Sequence, residues 1–314
     1  MTKQLLLIVD DESRVLRALN AVFRSGYRVL TTTDCQEALR ILRSEQVNTI
    51  ISDQRMPEMR GVDLLNQTRH ISPNTMRLLL TGYSDIPSIL DAINEGEVYR
   101  YITKPWGQEE IQAVVADAMK ISQKLFQTDL MPRYDATVPD TSTDRPELLV
   151  LDRSGEIYDT VHELFNETCK VHRSKSIDST NEIFASHPVK VVVVHVPNGN
   201  SDYLSFLKLI KSEHPSIVTI AVMAEDDADD IIDLINQGQI YRYLPVTVPQ
   251  GRTRICIQSA INYANRLSMN PVLAERHHVE ADQESDSISE AKRNAIVKSM
   301  AMLKKRLFNQ RAQA

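Results

Sequence analysis

The sequence predicts an α/β protein made of two doubly wound, five-stranded parallel-sheet domains followed by a C-terminal helix. Three observations predict it. Apolar runs of strand length alternate with amphipathic helical stretches, the pattern of βαβ units. The alternation stops near residue 129 and restarts near residue 147. The chain has 314 residues, about the length of two ordinary domains.

In residues 1–128, Leu5–Val9, Arg28–Thr32, Thr49–Ser52, Met76–Leu80 and Val98–Ile102 read as strands. The first is apolar throughout, as a strand covered on both faces must be. Between the strands, Val15, Leu16, Leu19, Val22 and Phe23 share one helical face, as do Ala38, Leu39 and Leu42. Ile89, Leu90 and Ile93 mark a fourth helix before the fifth strand. An open parallel sheet of this kind holds its ligand beyond the carboxyl ends of the strands.

Residues 129–146 contain Pro132, Pro139 and Pro146 among Asp, Ser and Thr, and read as a linker. Residues 147–268 then form the second domain, with strands at Leu148–Leu151, Lys190–Val194, Val218–Met223 and Tyr241–Leu244 and a helix at Ile157–Phe165. This half repeats the first at a constant offset of 142: residues 89–101 match residues 231–243 at eight of thirteen positions. Asp10 meets Asp152, Leu65 meets Leu207, Pro73 meets Pro215 and Asp85 meets Asp227 at the same offset.

Residues 269–286 read as an acidic linker and 287–314 as a basic amphipathic helix, with Ser287 and Glu290 as a capping box. In that helix Ile296, Met300, Leu303 and Leu307 repeat at coiled-coil spacing, which predicts helix pairing.

Lys plus Arg is 36 and Asp plus Glu 42, a net charge of −6. That argues against a dedicated binder of nucleic acid or anionic membrane. Runs such as Leu5–Val9 fall far short of the ~20 apolar residues of a membrane span. Cys35, Cys169 and Cys256 are scattered, which fits a reducing compartment and neither a disulfide framework nor a zinc site. A cytoplasmic location is the expectation. His277 and His278 lack the ligand spacing of a metal motif and read as linker.

The chemistry gathers at the strand ends of the first domain. Asp10 and Asp11 follow the first strand and Asp53 the third, and the two loops adjoin in a doubly wound sheet. Three converging carboxylates repel one another unless a cation neutralises them, and hard oxygen donors suit Mg²⁺. Thr81 at the fourth strand and Lys104 after the fifth add a hydroxyl and an ammonium. Such a set suits phosphoryl transfer onto a carboxylate.

Residues 1–128 resemble the receiver domains of two-component response regulators, a flavodoxin-like fold, through IVDDE (8–12), ISDQRMPEMRG (51–61), LLTGYSD (79–85) and YRYITKPW (99–106). The resemblance implies that Asp53 is the phosphoacceptor, loaded as an aspartyl phosphate by a histidine kinase or phosphotransfer protein. It implies Mg²⁺ on Asp10, Asp11, Asp53 and the backbone carbonyl of Arg55. Thr81 would bond the phosphoryl group and Lys104 pair with it across a cis Lys104–Pro105 bond. Tyr101 would be the aromatic that turns inward as Thr81 moves, although Tyr99 and Tyr101 share a strand face and packing alone accounts for them. Trp106 reads as surface packing.

At offset 142 the second half carries Asp152, Arg153, His195, Met223 and Val246 where the first carries Asp10, Asp11, Asp53, Thr81 and Lys104. It resembles a pseudo-receiver without phosphorylation or Mg²⁺ chemistry, with His195 a hydrogen-bonded bystander and Arg153 a fixed cation at the metal position. The retained segment 231–243, with Asn236 and Arg242, suggests a docking or dimerisation face. The expectation is a response regulator, not an enzyme beyond its own phosphorylation and dephosphorylation. It would signal through a homodimer or effector protein at the fourth-helix and fifth-strand face or the C-terminal helix. A constitutive scaffold, DNA binding by the basic helix and a phosphate sink are the alternatives.

Overall fold

Strand-length runs with no polar alternation must be covered on both sides, and the computed structural model of the chain shows how. It describes residues 3–82, 98–127, 145–197, 201–224, 233–236, 238–269, 271–274, 277 and 288–313. The chain divides into two units, Met1–Ala136 and Thr137–Ala314.

The first unit runs β1 (Leu5–Val9), α1 (Ser13–Phe23), β2 (Arg28–Thr32), α2 (Cys35–Ser44), β3 (Thr49–Asp53), α3 (Gly61–Ile71), β4 (Met76–Thr81), β5 (Arg100–Thr103) and α4 (Gln108–Gln127). The sheet is parallel in the order β2-β1-β3-β4-β5. Every residue of β1, β3 and β4 is buried. Leu16, Leu19 and Phe23 turn the apolar face of α1 inward. α2 starts where the Asp34 carboxylate accepts the backbone N–H groups of Gln36 and Glu37, the N-cap arrangement that satisfies two orphan donors. The helix expected around Ile89–Ile93 and the linker over 129–144 lie outside the described residues, as does Asp85.

The second unit runs β6 (Glu147–Leu151), α5 (Glu156–Phe165), β7 (Lys170–Ser174), α6 (Thr180–Ser186), β8 (Val189–His195), α7 (Ser201–Glu213), β9 (Val218–Met223), β10 (Arg242–Pro245), α8 (Gln250–Met269), α9 (Pro271–Ala274) and α10 (Glu290–Gln313). Its parallel order, β10-β9-β8-β6-β7, is that of the first sheet. The register repeats as well. Leu6 faces Thr49 as Leu148 faces Val191, and Leu78 faces Arg100 as Ile220 faces Arg242. Each pair differs by 142, so the offset in the sequence is an offset in hydrogen-bond register.

Two expectations change here. The Ile296, Met300 and Leu303 seam does not await a partner helix. All three are essentially inaccessible, and α10 lies on α6 and α7 of its own unit. Ser299 donates to the Asn181 side chain, Arg306 Nε to the Ala185 carbonyl, and Lys292 pairs with Asp178. The apolar spacing says only that this face is buried, and two helices of the same unit bury it. Chain just past Met269 is likewise packed: Leu273 and Ala274 of α9 are buried, and His277 Nε2 lies 2.8 Å from the Tyr263 hydroxyl. His278, Ser287 and Asp227 lie outside the described residues. None of the described helices is long and apolar enough to cross a membrane.

Candidate functional site

β1 and β3 are neighbours, so Asp10, just past β1, and Asp53, the last residue of β3, come to one carboxyl edge. Both are buried, at 0% and 5% exposure. Lys104, beyond β5, reaches back between them, with Nζ 2.6 Å from Asp53 Oδ1 and 3.3 Å from Asp10 Oδ2. The second Asp53 oxygen accepts the Arg55 N–H at 2.6 Å, and Asp10 Oδ1 accepts the Glu12 N–H at 2.8 Å. Asp11 and Arg55 are exposed at the rim.

The charges are unevenly matched. Burial pushes the Asp10 carboxyl up, the Asp53 charge adds to this, and the Glu12 N–H and Lys104 only partly offset it. For Lys104, burial works to lower the ammonium, but the hydrogen bond and charge of Asp53, joined by Asp10, prevail and raise it. Among the described residues one ammonium thus serves two buried carboxylates, and burial leaves Asp10 favouring further positive charge.

Thr81 closes β4, fully buried, with its hydroxyl donating to the Gly82 carbonyl at 3.1 Å and its own carbonyl accepting the Lys104 N–H at 2.7 Å. The Lys104–Pro105 bond is cis. Tyr101 faces Leu79 across the β4–β5 pairing and is 4% exposed. Trp106 does more than pack beside Pro105, because the Lys104 ammonium lies over its ring at 5.9 Å. Gly61, quoted above only as part of a motif, carries a structural demand. A Cβ there would stand 2.0 Å from the Asp53 carbonyl oxygen and 2.7 Å from Leu79 Cδ1. Only glycine lets α3 begin against the backbone of Asp53. The sequence signal was the residue itself, eight positions after Asp53.

The matching edge of the second unit is wired differently. Asp152 is fully buried, but its oxygens accept the backbone N–H groups of Ser154, Gly155, Ile157 and Tyr158 and the Ser154 hydroxyl. It has become the anchor of the α5 N-terminus. Burial works to raise this carboxyl, yet the bonds from Ser154, Tyr158, His195 and Ile157 hold it below its ordinary value. His195 Nδ1 lies 3.1 Å from Asp152 Oδ1. Arg153 is exposed, Met223 is fully buried, and Val246 borders an apolar cavity of about 90 Å³ with Val193, Val222 and Leu244. The reading of Arg242 as a retained surface residue is corrected. It is 6% exposed, with its guanidinium 4.4 Å from the Tyr241 ring centroid. Arg100 covers Tyr99 at the same 4.4 Å, so the shared Tyr-Arg-Tyr preserves packing.

Residues 6–116 match the family model of the response regulator receiver domain. The hydrogenase transcriptional regulatory protein HoxA of Bradyrhizobium diazoefficiens is 36% identical over 124 residues, 40% of this chain and 26% of the relative. The transcriptional regulatory protein GlrR of Escherichia coli is 35% identical over 118 residues, 37% of this chain and 26% of the relative. Among solved structures, the signal receiver domain of an HD domain-containing protein from Pseudomonas fluorescens is 32% identical, covering 41% of this chain and 95% of that one with a TM-score of 0.39. The matching segment spans about a quarter of the length of these two curated relatives. Residues 6–116 are a receiver domain homologous to those of response regulators. Two of these relatives are named as transcriptional regulators, so the comparisons lend no support to the expectation that nucleic acid is an unlikely partner.

Proposed function

We propose that the chain is a response regulator of a two-component phosphorelay, in which Asp53 takes a phosphoryl group from the phosphohistidine of a histidine kinase or phosphotransfer protein. The observation that carries this reading is the Lys104 ammonium held between Asp53 and Asp10 at a sheet edge that is still short of positive charge. An Asp53 oxygen bonds to phosphorus as the P–N bond breaks, and the departing imidazole keeps the electron pair. The product is an acyl phosphate. Lys104, freed from its pairing with Asp53, turns to the phosphoryl oxygens, and the Thr81 hydroxyl exchanges the Gly82 carbonyl for one of them.

The donor set fits Mg²⁺: the carboxylates of Asp10, Asp11 and Asp53 with the Arg55 carbonyl are hard oxygens, and burial leaves Asp10 under-neutralised. When bound, Mg²⁺ supplies the charge that offsets the phosphoryl oxygens. Movement of Thr81 is relayed through Tyr101 to the β5 face, biasing a two-state equilibrium. Beyond handling its own phosphoryl group, the chain is not read as an enzyme.

The second unit acts as a pseudo-receiver. Its Asp152 spends its acceptors on local donors, which leaves little for a metal. The boundaries 1–128 and 147–268 are part of this proposal, as is an output by protein–protein contact.

Intact mass and light scattering test it, with and without Mg²⁺ and acetyl phosphate, on wild type and Asp53→Asn. One adduct per chain, absent in the variant, is expected, together with a change in assembly or partner binding. An adduct of equal yield in Asp53→Asn would overturn the assignment. A second reading rests on Lys298, Lys304 and Lys305, all exposed on α10. Duplex DNA affinity that falls steeply with salt would establish nucleic acid as the output partner.

A further inference from the structure

We infer that the second unit carries a first-row transition-metal site, of the Zn²⁺ type, formed by Glu147, His172 and His187. Glu147 opens β6, His172 lies mid-way along the adjacent edge strand β7, and His187 is the C-cap residue of α6. His172 Nε2 is 2.8 Å and His187 Nδ1 3.0 Å from the same oxygen, Glu147 Oε2. One ligand atom from each residue falls within a 4.8 Å cluster.

Three features favour a cation over an ordinary ion pair. First, both imidazoles aim a ring nitrogen at one oxygen with ring centroids 3.9 Å apart, so three donor atoms from three elements converge on one point. A single divalent ion satisfies all three groups. Second, ligand bonds of about 2.0–2.2 Å in a tetrahedral site place donor atoms about 3.3 Å apart. The observed 2.8 and 3.0 Å need to open by only a few tenths of an ångström. Third, the two halves differ at these three positions. At offset 142 the first unit has Leu5, Leu30 and Glu45. Where the first unit has a buried Leu at a strand start, a strand Leu and a helix-cap Glu, the second has Glu, His and His, all meeting at one point. Placing a carboxylate at a 6% exposed strand start is costly without dedicated partners.

Two imidazoles and a carboxylate suit Zn²⁺, Co²⁺ or Ni²⁺ and are too nitrogen-rich for Mg²⁺. Lys170, half exposed, sits 3.2 Å from the other oxygen, Glu147 Oε1, so the carboxylate would bind through Oε2 alone, with water completing the shell. The metal would fasten the C-terminus of α6 to β6 and β7. Because α6 seats α10 through Asn181 and Ala185, it would also steady the C-terminal helix.

The test is titration of the untagged full-length chain with Co²⁺ in excess Mg²⁺, read by calorimetry and visible absorption. One equivalent is expected, with the intense bands of a tetrahedral ion and displacement by Zn²⁺. His187→Gln, at a half-exposed cap, and His172→Gln should each weaken binding at least tenfold. Asp53→Asn should leave it unchanged, which separates this site from the acidic edge of the first sheet. Zn²⁺ should raise the melting temperature of wild type and not of the variants. Failure to bind stoichiometrically, or bands that persist in the double variant with its circular dichroism unchanged, would overturn the site and leave the phosphorelay reading intact.

Discussion

Leu303→Ala asks whether the α10 seam is filled by its own chain or by another copy. Leu303 is fully buried, so the change removes three carbons from the interior. At about 0.8 kcal/mol per carbon the transfer loss is about 2.4 kcal/mol, and the cavity left between α10 and the helices beneath it raises this to about 3–4 kcal/mol. With a urea slope of about 2 kcal/mol/M, the midpoint of the affected unit should fall by about 1.5–2 M. The chain provides a built-in control. Its single tryptophan, Trp106, lies in the first unit, so indole fluorescence reports that unit while far-ultraviolet circular dichroism reports both. The expected result is a lowered dichroism transition, an unmoved fluorescence transition, and midpoints independent of protein concentration. A wild-type transition that shifts with concentration, or a loss under about 0.5 kcal/mol at high dilution, would refute the intramolecular seat and restore pairing between copies.

Three further outcomes are expected. Lys104→Met strips the one ammonium that, among the described residues, pairs with Asp10 and Asp53, and should cost about 1–3 kcal/mol at pH 7. The loss should shrink as acid neutralises Asp10, whose folded-state value is raised; a pH-independent loss in urea titrations would contradict the pairing. Asp10→Asn should have the opposite sign. A carboxylate raised by folding opposes stability above its unfolded value, so the variant should melt higher than wild type at pH 7 without Mg²⁺. That gain should vanish as pH falls below the ordinary carboxylate range. Gly61→Ala drives a Cβ into the Asp53 carbonyl. It should cost about 1–3 kcal/mol and slow adduct formation from acetyl phosphate, whereas Gly26→Ala, whose nearest atom is 4.0 Å away, should not.

The alternation of apolar runs with amphipathic stretches was enough to read two parallel sheets, because strand and helix periods are local properties of the chain. The site in the first unit was legible for a related reason. A parallel sheet sends every carboxyl end to one edge, so acidic residues at the ends of β1 and β3 had to meet there, and Lys104 after β5 had to face them. The offset of 142 could also be counted from the letters, and it reappears as hydrogen-bond register.

What the letters left open depends on which distant faces meet. Ile296, Met300 and Leu303 announce a buried stripe, but a stripe does not name its partner, and it took α6 and α7 to supply one. Asp152 is the one acidic residue kept from the first unit's set, but its role shows only where the turn after β6 folds four backbone N–H groups onto it. Arg242 reads as surface until its guanidinium lies down on Tyr241. Glu147, His172 and His187 are separated by 25 and 15 residues with no motif spacing. They become a cluster only because β7 pairs with β6 and α6 ends beside them. Sequence alone determined the elements and the edge where Asp10, Asp53 and Lys104 meet, since both follow from local period and strand direction. The tertiary structure decided which faces are already occupied, because contact between remote segments is set by sheet order and packing rather than by neighbours in the chain.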